Sequence, residues 1–162
     1  MGFIDSIKSA FAKYIIFSGR ASRSEFWYFL LFLFLLGFCI GMFFSILSSI
    51  YYPSTIPREL YLLSSHFFLA VMLIPTISIN ARRLHDINKS ALYLILFAPY
   101  FIILRVFWFQ ILVGGDSGRI TDPEYLSIAS ILTIIFIATY GYWLTKKGDK
   151  SSNKYGPNPI KK

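Results

Sequence analysis

The 162 residues are 56% hydrophobic, 19% aromatic and 15% charged, with a mean hydropathy of +0.59, more apolar and less charged than a soluble domain. That composition excludes an ordinary soluble globule and predicts an all-α polytopic membrane protein. The net charge of +8 comes from Lys and Arg placed between apolar runs rather than from a folded basic module, so nucleic acid is not an expected partner.

In chain order, Phe3, Ile4, Ile7, Ala10, Phe11, Tyr14 and Ile15 recur at three- and four-residue spacings, with Lys8, Ser9 and Lys13 elsewhere on the wheel. This predicts an amphipathic helix from Gly2 to Phe17, lying on the cytoplasmic surface and ended by Gly19. Residues 1–25 thus form a surface helix and linker. Ser22 followed by Glu25 is a capping box, in which each side chain satisfies a backbone donor of the other residue. Trp27 and Tyr28 stand where an interfacial aromatic belt is expected.

Four apolar runs, about 26–50, 60–79, 91–113 and 125–144, are each long enough to cross a core about 30 Å thick at about 1.5 Å per residue. They predict two helical hairpins in a single membrane domain over 1–162. The first run lacks a small-residue cleavage pattern after it, so the first span is expected to stay in the mature protein. Its Gly37, Gly41, Ser45 and Ser49 form a small-residue stripe that permits close helix packing, in the bundle or between copies of a homo-oligomer. Cys39, the single cysteine, excludes a disulfide framework and a cysteine metal site, and is expected to act as a small buried hydrophobe.

A short outer loop from Tyr51 to Glu59, with Pro53 and Pro57, leads into the second span, where His66 is an interfacial residue and Pro75 marks a kink or helix stop. The island Asn80 to Ser90 lies between apolar runs and is expected in water or headgroups. The third span holds Pro99, Arg105 and Gln110. Arg105 falls roughly 12 Å below the outer end by helical rise, where bare lipid would cost at least about 2.5 kcal/mol. It should face the bundle interior or reach Glu59, Asp116 or Asp122. The loop Gly114 to Glu124 does not match EF-hand spacing, so it reads as a solvated turn with no metal. Asp122, Pro123 and Glu124 read as N-cap, first-position proline and first-turn acid of the fourth span. That span ends at Tyr140, Tyr142 and Trp143, a second aromatic belt, and the tail 145–162 forms turns.

Thirteen of the sixteen Lys and Arg lie before the first span, in the central island or in the tail, against Arg58 and Arg119 on the other side. The positive-inside rule then puts both termini and the island in the cytoplasm.

Gly19 to Tyr28, then Arg82-Arg83-Leu84-His85-Asp86, then Asn153 to Pro159 together resemble the signature segments of the bacterial inner-membrane family catalogued as domain of unknown function 805. They occur in order and span nearly the whole chain. The family pattern usually has a glycine where Asn88 stands, a tryptophan near Tyr93, an arginine at Lys154 and an aspartate at Asn158. The resemblance implies a small multi-span protein of the bacterial inner membrane, with no established activity.

All three segments fall on the predicted cytoplasmic side. Arg20, Arg23, Arg82, Arg83 and Lys154 would form a basic layer suited to phosphate or carboxylate, with Ser22, Glu25, His85 and Asp86 as a polar network among them. The first expected function is therefore a non-enzymatic protein that binds anionic lipid headgroups or an acidic partner. The alternative is an oligomeric transporter or channel component using Arg105, assembled through Gly37, Gly41 and Ser45. Catalysis by His85 and Asp86 is disfavoured, because neighbours on a helix point about 100° apart and no nucleophile or cofactor motif accompanies them. A salt bridge from Asp86 to one of the arginines is the expected structural role.

Overall fold

The computed structural model describes residues 1–50, 58–96 and 123–160. Four helices carry the described chain: α1 (Phe3–Ala12), α2 (Arg23–Ile50), α3 (Arg58–Asp86) and α4 (Pro123–Thr145). Among the described residues the sole β-type pairing is an isolated one between Asn153 and Gly156. Among the described residues two stretches are long and apolar enough to cross a membrane, Arg23–Leu47 and His66–Asp86, and Ser130–Thr145 is a shorter apolar helix. Along α2, Phe34, Phe38 and Phe43 are 68%, 58% and 59% exposed. Cys39, expected to be buried, is likewise exposed on this helix. A face so apolar and so open needs lipid or another helix against it rather than water. Of the expected third span, 93–96 are helical. Its remainder, with Pro99, Arg105 and Gln110, lies outside the described residues, as do the loops carrying Pro53, Pro57, Asp116 and Asp122.

Local chemistry explains most helix ends. Ser22 Oγ accepts the Glu25 backbone N–H at 3.2 Å, an N-cap for α2. The capping box is nonetheless only half built, since the Glu25 carboxylate is engaged by Ser9 and Arg82 instead. Gly19 takes φ +83, the left-handed conformation that lets the linker turn toward α2. Helix α4 begins at Pro123, a position where a missing N–H costs nothing.

Two boundaries differ from expectation. Helix α1 stops at Ala12 rather than Phe17, because the chain beyond it is stapled to α3. The Ser78 hydroxyl lies 2.9 Å from the Lys13 carbonyl and 2.6 Å from that of Ile16, and the Tyr14 hydroxyl donates to the Val71 carbonyl. α1 also packs on α2 through its small buried Ser6 and Ala10, with Phe11 edge-on to Phe29 and Phe32. Part of its apolar face is thus spent on protein contact.

Helix α3, in turn, runs through Pro75 and seven residues past the expected end at Ile79. Residues 78–87, most of the island expected in solvent, are all buried. The polar residues are tolerated there because each makes at least one hydrogen bond to a neighbouring segment. One example is the Tyr140 hydroxyl on α4, which donates to Asn80 Oδ1.

The end of α3 is a Schellman motif. Asn88 N–H bonds the His85 carbonyl at 3.0 Å, Lys89 N–H bonds the Leu84 carbonyl at 2.9 Å, and Asn88 sits at φ +58. This left-handed residue satisfies carbonyls the helix would otherwise leave free. It also gives the glycine usual here in the resembled family a physical reason, since asparagine is the side chain that best replaces glycine in this conformation. Asn88→Gly is expected to leave thermal unfolding in detergent nearly unchanged, whereas Asn88→Val should destabilise by about 1–2 kcal/mol. Equal melting temperatures for the two variants would contradict the assignment.

Candidate functional site

The polar end of α3 organises the molecule around one carboxylate. Asp86 Oδ1 accepts from Arg20 Nε at 2.9 Å and lies 2.9 Å from Arg20 Nη2, while Oδ2 accepts from Arg83 Nη1. Both guanidiniums go on to backbone carbonyls at the start of the tail. Arg20 Nη2 donates to Asp149 at 2.6 Å, and Arg20 Nη1 to Ser151 at 2.7 Å and Gly156 at 3.3 Å. Arg83 Nε donates to the Leu144 carbonyl at 3.0 Å, and Nη2 to that of Lys146. Leu144 closes the last turn of α4, where exposed carbonyls carry partial negative charge and a cation is favoured. Arg23 Nη1 adds a longer contact of 3.4 Å to Thr145.

A second buried pair stands beside the first. Arg82 Nη1 donates to Glu25 Oε1 at 2.8 Å, and the same oxygen accepts from Ser9 Oγ of α1 at 3.0 Å. The backbone joins in, with Ala21 N–H on the Arg82 carbonyl at 2.9 Å. One carboxylate thus ties α1, α2 and α3 together.

The tail is clamped over this cluster. Asp149 N–H bonds the Asp86 carbonyl at 2.9 Å. Asn153 Nδ2 reaches the His85 carbonyl and Asp149 Oδ2, both at 3.0 Å. Reciprocal bonds between Asn153 and Gly156 close a tight turn that sets the Tyr155 ring on His85, with centroids 3.8 Å apart and planes 8° apart. His85 Nδ1 meets the Gly19 carbonyl at 3.0 Å. Gly148 passes so close that a Cβ there would lie 1.9 Å from Asp86 Oδ2. Asn158 Nδ2 bonds the carbonyls of Asp149 and Lys150, so the amide occupying the family's aspartate position acts as a donor. Among the described residues no group of His, Cys, Asp and Glu could hold a metal ion.

The expected open basic layer is therefore corrected in part. Arg20, Arg82 and Arg83 are 6%, 1% and 0% exposed, turned inward by the carboxylates and carbonyls that flank them. Arg23 and Lys154 do face outward. Ser22 is an N-cap, Glu25 and Asp86 are ion-pair centres, and His85 is a stacking platform separate from Asp86. Arg105 lies outside the described residues. Sequence reading missed Ser9, Asn80, Tyr140, Gly148 and the tail carbonyls. The carbonyls carry no side-chain signal, but Gly148 following Lys146 and Lys147 marked a place where backbone could approach closely.

Removing one partner of a buried ion pair leaves the other charge stranded. Asp86→Asn, which uncovers two, is expected to destabilise by about 3–5 kcal/mol, seen as a lower melting temperature in detergent. Gly148→Ala should leave the helices in place but loosen the tail, and trypsin cleavage at Lys146, Lys147, Lys150 and Lys154 should accelerate. Parent-like cleavage of that variant would show that the tail does not depend on the close approach.

The sequence matches the family described as Protein of unknown function (DUF805) over residues 14–157. It is similar to the inner membrane protein YhaI of Escherichia coli K12, 33% identical over 120 residues covering 72% of this chain and 93% of the relative. The same protein of E. coli O157:H7 matches to the same extent. No solved structure matches. The matched stretch runs from Tyr14, where the chain is stapled to α3, to Pro157 beyond the tail turn, and so takes in both buried ion-pair centres and the clamp over them: the chain is a membrane protein of the DUF805 family.

Proposed function

We propose that this is a non-enzymatic protein of the bacterial inner membrane, with four spans and both termini in the cytoplasm, whose cytoplasmic end binds anionic lipid headgroups. The observation that carries it is the division of the cations at one end of the helices. Arg20, Arg82 and Arg83 are buried, while Lys8, Arg23, Lys146, Lys147, Lys150 and Lys154 are exposed. Of the four carboxylates at this end, Asp5, Glu25, Asp86 and Asp149, two are buried against arginines, Glu25 and Asp86, so the exposed face is left positive. Aromatics suited to headgroup depth flank it, with Trp27, Tyr28 and Tyr142 exposed. Lys89 Nζ sits 5.5 Å from the rings of both Tyr93 and Trp143.

Topology and binding then have one origin. Thirteen of sixteen cations fall on the side assigned to the cytoplasm, and the same charges attract anionic lipid at about 1 kcal/mol each near the surface. The similarity to an inner membrane protein supports the compartment. The outward cations, rather than Arg20 and Arg83, make this surface contact.

A green fluorescent protein fused to the C-terminus should fluoresce and alkaline phosphatase fused there should be inactive; the reverse pattern would refute the orientation. For the lipid contact, native mass spectrometry of protein exchanged into mixed micelles should show phosphatidylglycerol retained over phosphatidylcholine. Replacing Lys146, Lys147, Lys150 and Lys154 with Gln should cut that preference by at least about tenfold, and so should raised salt. Unchanged retention in the quadruple variant would remove the binding claim and leave these lysines as determinants of orientation.

A further inference from the structure

The three buried arginines are not equivalent. Arg20 and Arg83 engage donors on every guanidinium nitrogen. Arg82 engages Nη1, on Glu25, while its Nε and Nη2 are buried with no hydrogen-bond partner among the described residues. The position of the two open donors matters. In a planar guanidinium, the Nε–H and the adjacent Nη2–H point the same way along one edge, the edge that takes two oxygens of a carboxylate or phosphate side by side.

A surface arginine would leave such an edge to water. Here the side chain is 1% exposed, and buried charged donors are normally satisfied. The charge balance points to the sign of what is missing. Arg20, Arg82 and Arg83 face Glu25 and Asp86, leaving one positive charge in excess. The guanidinium lies close to α1, since Ser9 meets Arg82 on the same Glu25 oxygen.

We propose that the Nε–Nη2 edge of Arg82 is a binding site for a phosphate-class oxyanion, with two of its oxygens on the two open donors. The same group is offered by the headgroup of an anionic phospholipid and by free inorganic phosphate. The site is distinct from the outward lysines, and either can fail without the other.

The test uses the full chain in phosphate-free maltoside detergent, with melting temperature read against added inorganic phosphate in one arm and against phosphatidylglycerol in mixed micelles in the other. Native mass spectrometry reports the adduct. A saturable rise in melting temperature with a matching mass is expected, and the arm in which it occurs identifies the source. Arg82→Lys keeps the charge but loses the two-donor edge, so the apparent affinity should fall at least about tenfold. In the inorganic-phosphate arm, the quadruple variant of Lys146, Lys147, Lys150 and Lys154 should respond like the parent. Glu25→Gln, which removes the neighbouring negative charge, should bind the anion several-fold more tightly. No response in either arm would mean that water fills the edge, and that outcome overturns the proposal, as does an equal response in Arg82→Lys. Should Arg82→Lys not fold, Glu25→Gln decides, and an unchanged or weaker response there overturns it.

Discussion

The structure depends on the Asp86 carboxylate held between two arginines from different segments. One oxygen meets Arg20 on the linker after α1, the other meets Arg83 one turn back on α3. Through those guanidiniums the same carboxylate reaches the end of α4 and the backbone of the tail. Burying three charges is costly, and mutual attraction offsets this only when the remaining donors are satisfied as well. They are satisfied here by carbonyls, including those at the negative end of a helix dipole. The tail is therefore part of the energetics of the ion pair and not a free extension.

That arrangement explains how a chain with few cross-helix apolar contacts among its described residues keeps its elements in register. Apolar packing between spans gains little from the hydrophobic effect when the alternative neighbour is lipid, so polar contacts at the helix ends carry more of the specificity. On α3, Ser78 and Asp86 bond the linker after α1, Arg82 bonds α2, and Asn80 and Arg83 bond α4. α3 is the common partner, and its length beyond Pro75 brings these residues within reach.

How much of this could be read from the sequence varies with the kind of interaction. The Ser22 cap, the turn at Gly19 and the proline start of α4 are local, and the residue types announce them. The apolar runs announce spans by length, although Arg105 and most of the third run lie outside the described residues. The pairing of Asp86 with an arginine was legible from charge and proximity; that it takes two was not, because Arg20 lies 66 positions away. Burial of the island was missed outright, since a run such as Arg82-Arg83-Leu84-His85-Asp86 has the composition of a solvated loop. What reverses that expectation is a set of backbone acceptors at 144–156 that no residue type encodes. Asn88 is intermediate: its left-handed conformation gives no strong signal in one sequence, yet the glycine of the family pattern at that position is its trace.

A further consequence concerns which groups can meet a membrane surface. An arginine whose three guanidinium nitrogens are all bonded to protein acceptors is poorly placed to hold a headgroup as well, because the planar fork has no second geometry to offer. Lysines on flexible stems at a helix end can, at small cost in geometry, and the exposed cations at this end are lysines apart from Arg23. The chain thus separates two uses of positive charge by chemistry, with guanidiniums shaping the interior and ammonium groups left to face anions outside. Arg82 is the exception, because its interior position leaves a complete fork edge open. Two buried guanidinium donors without acceptors carry a desolvation cost. Their persistence is accounted for by an acceptor that comes from outside the chain.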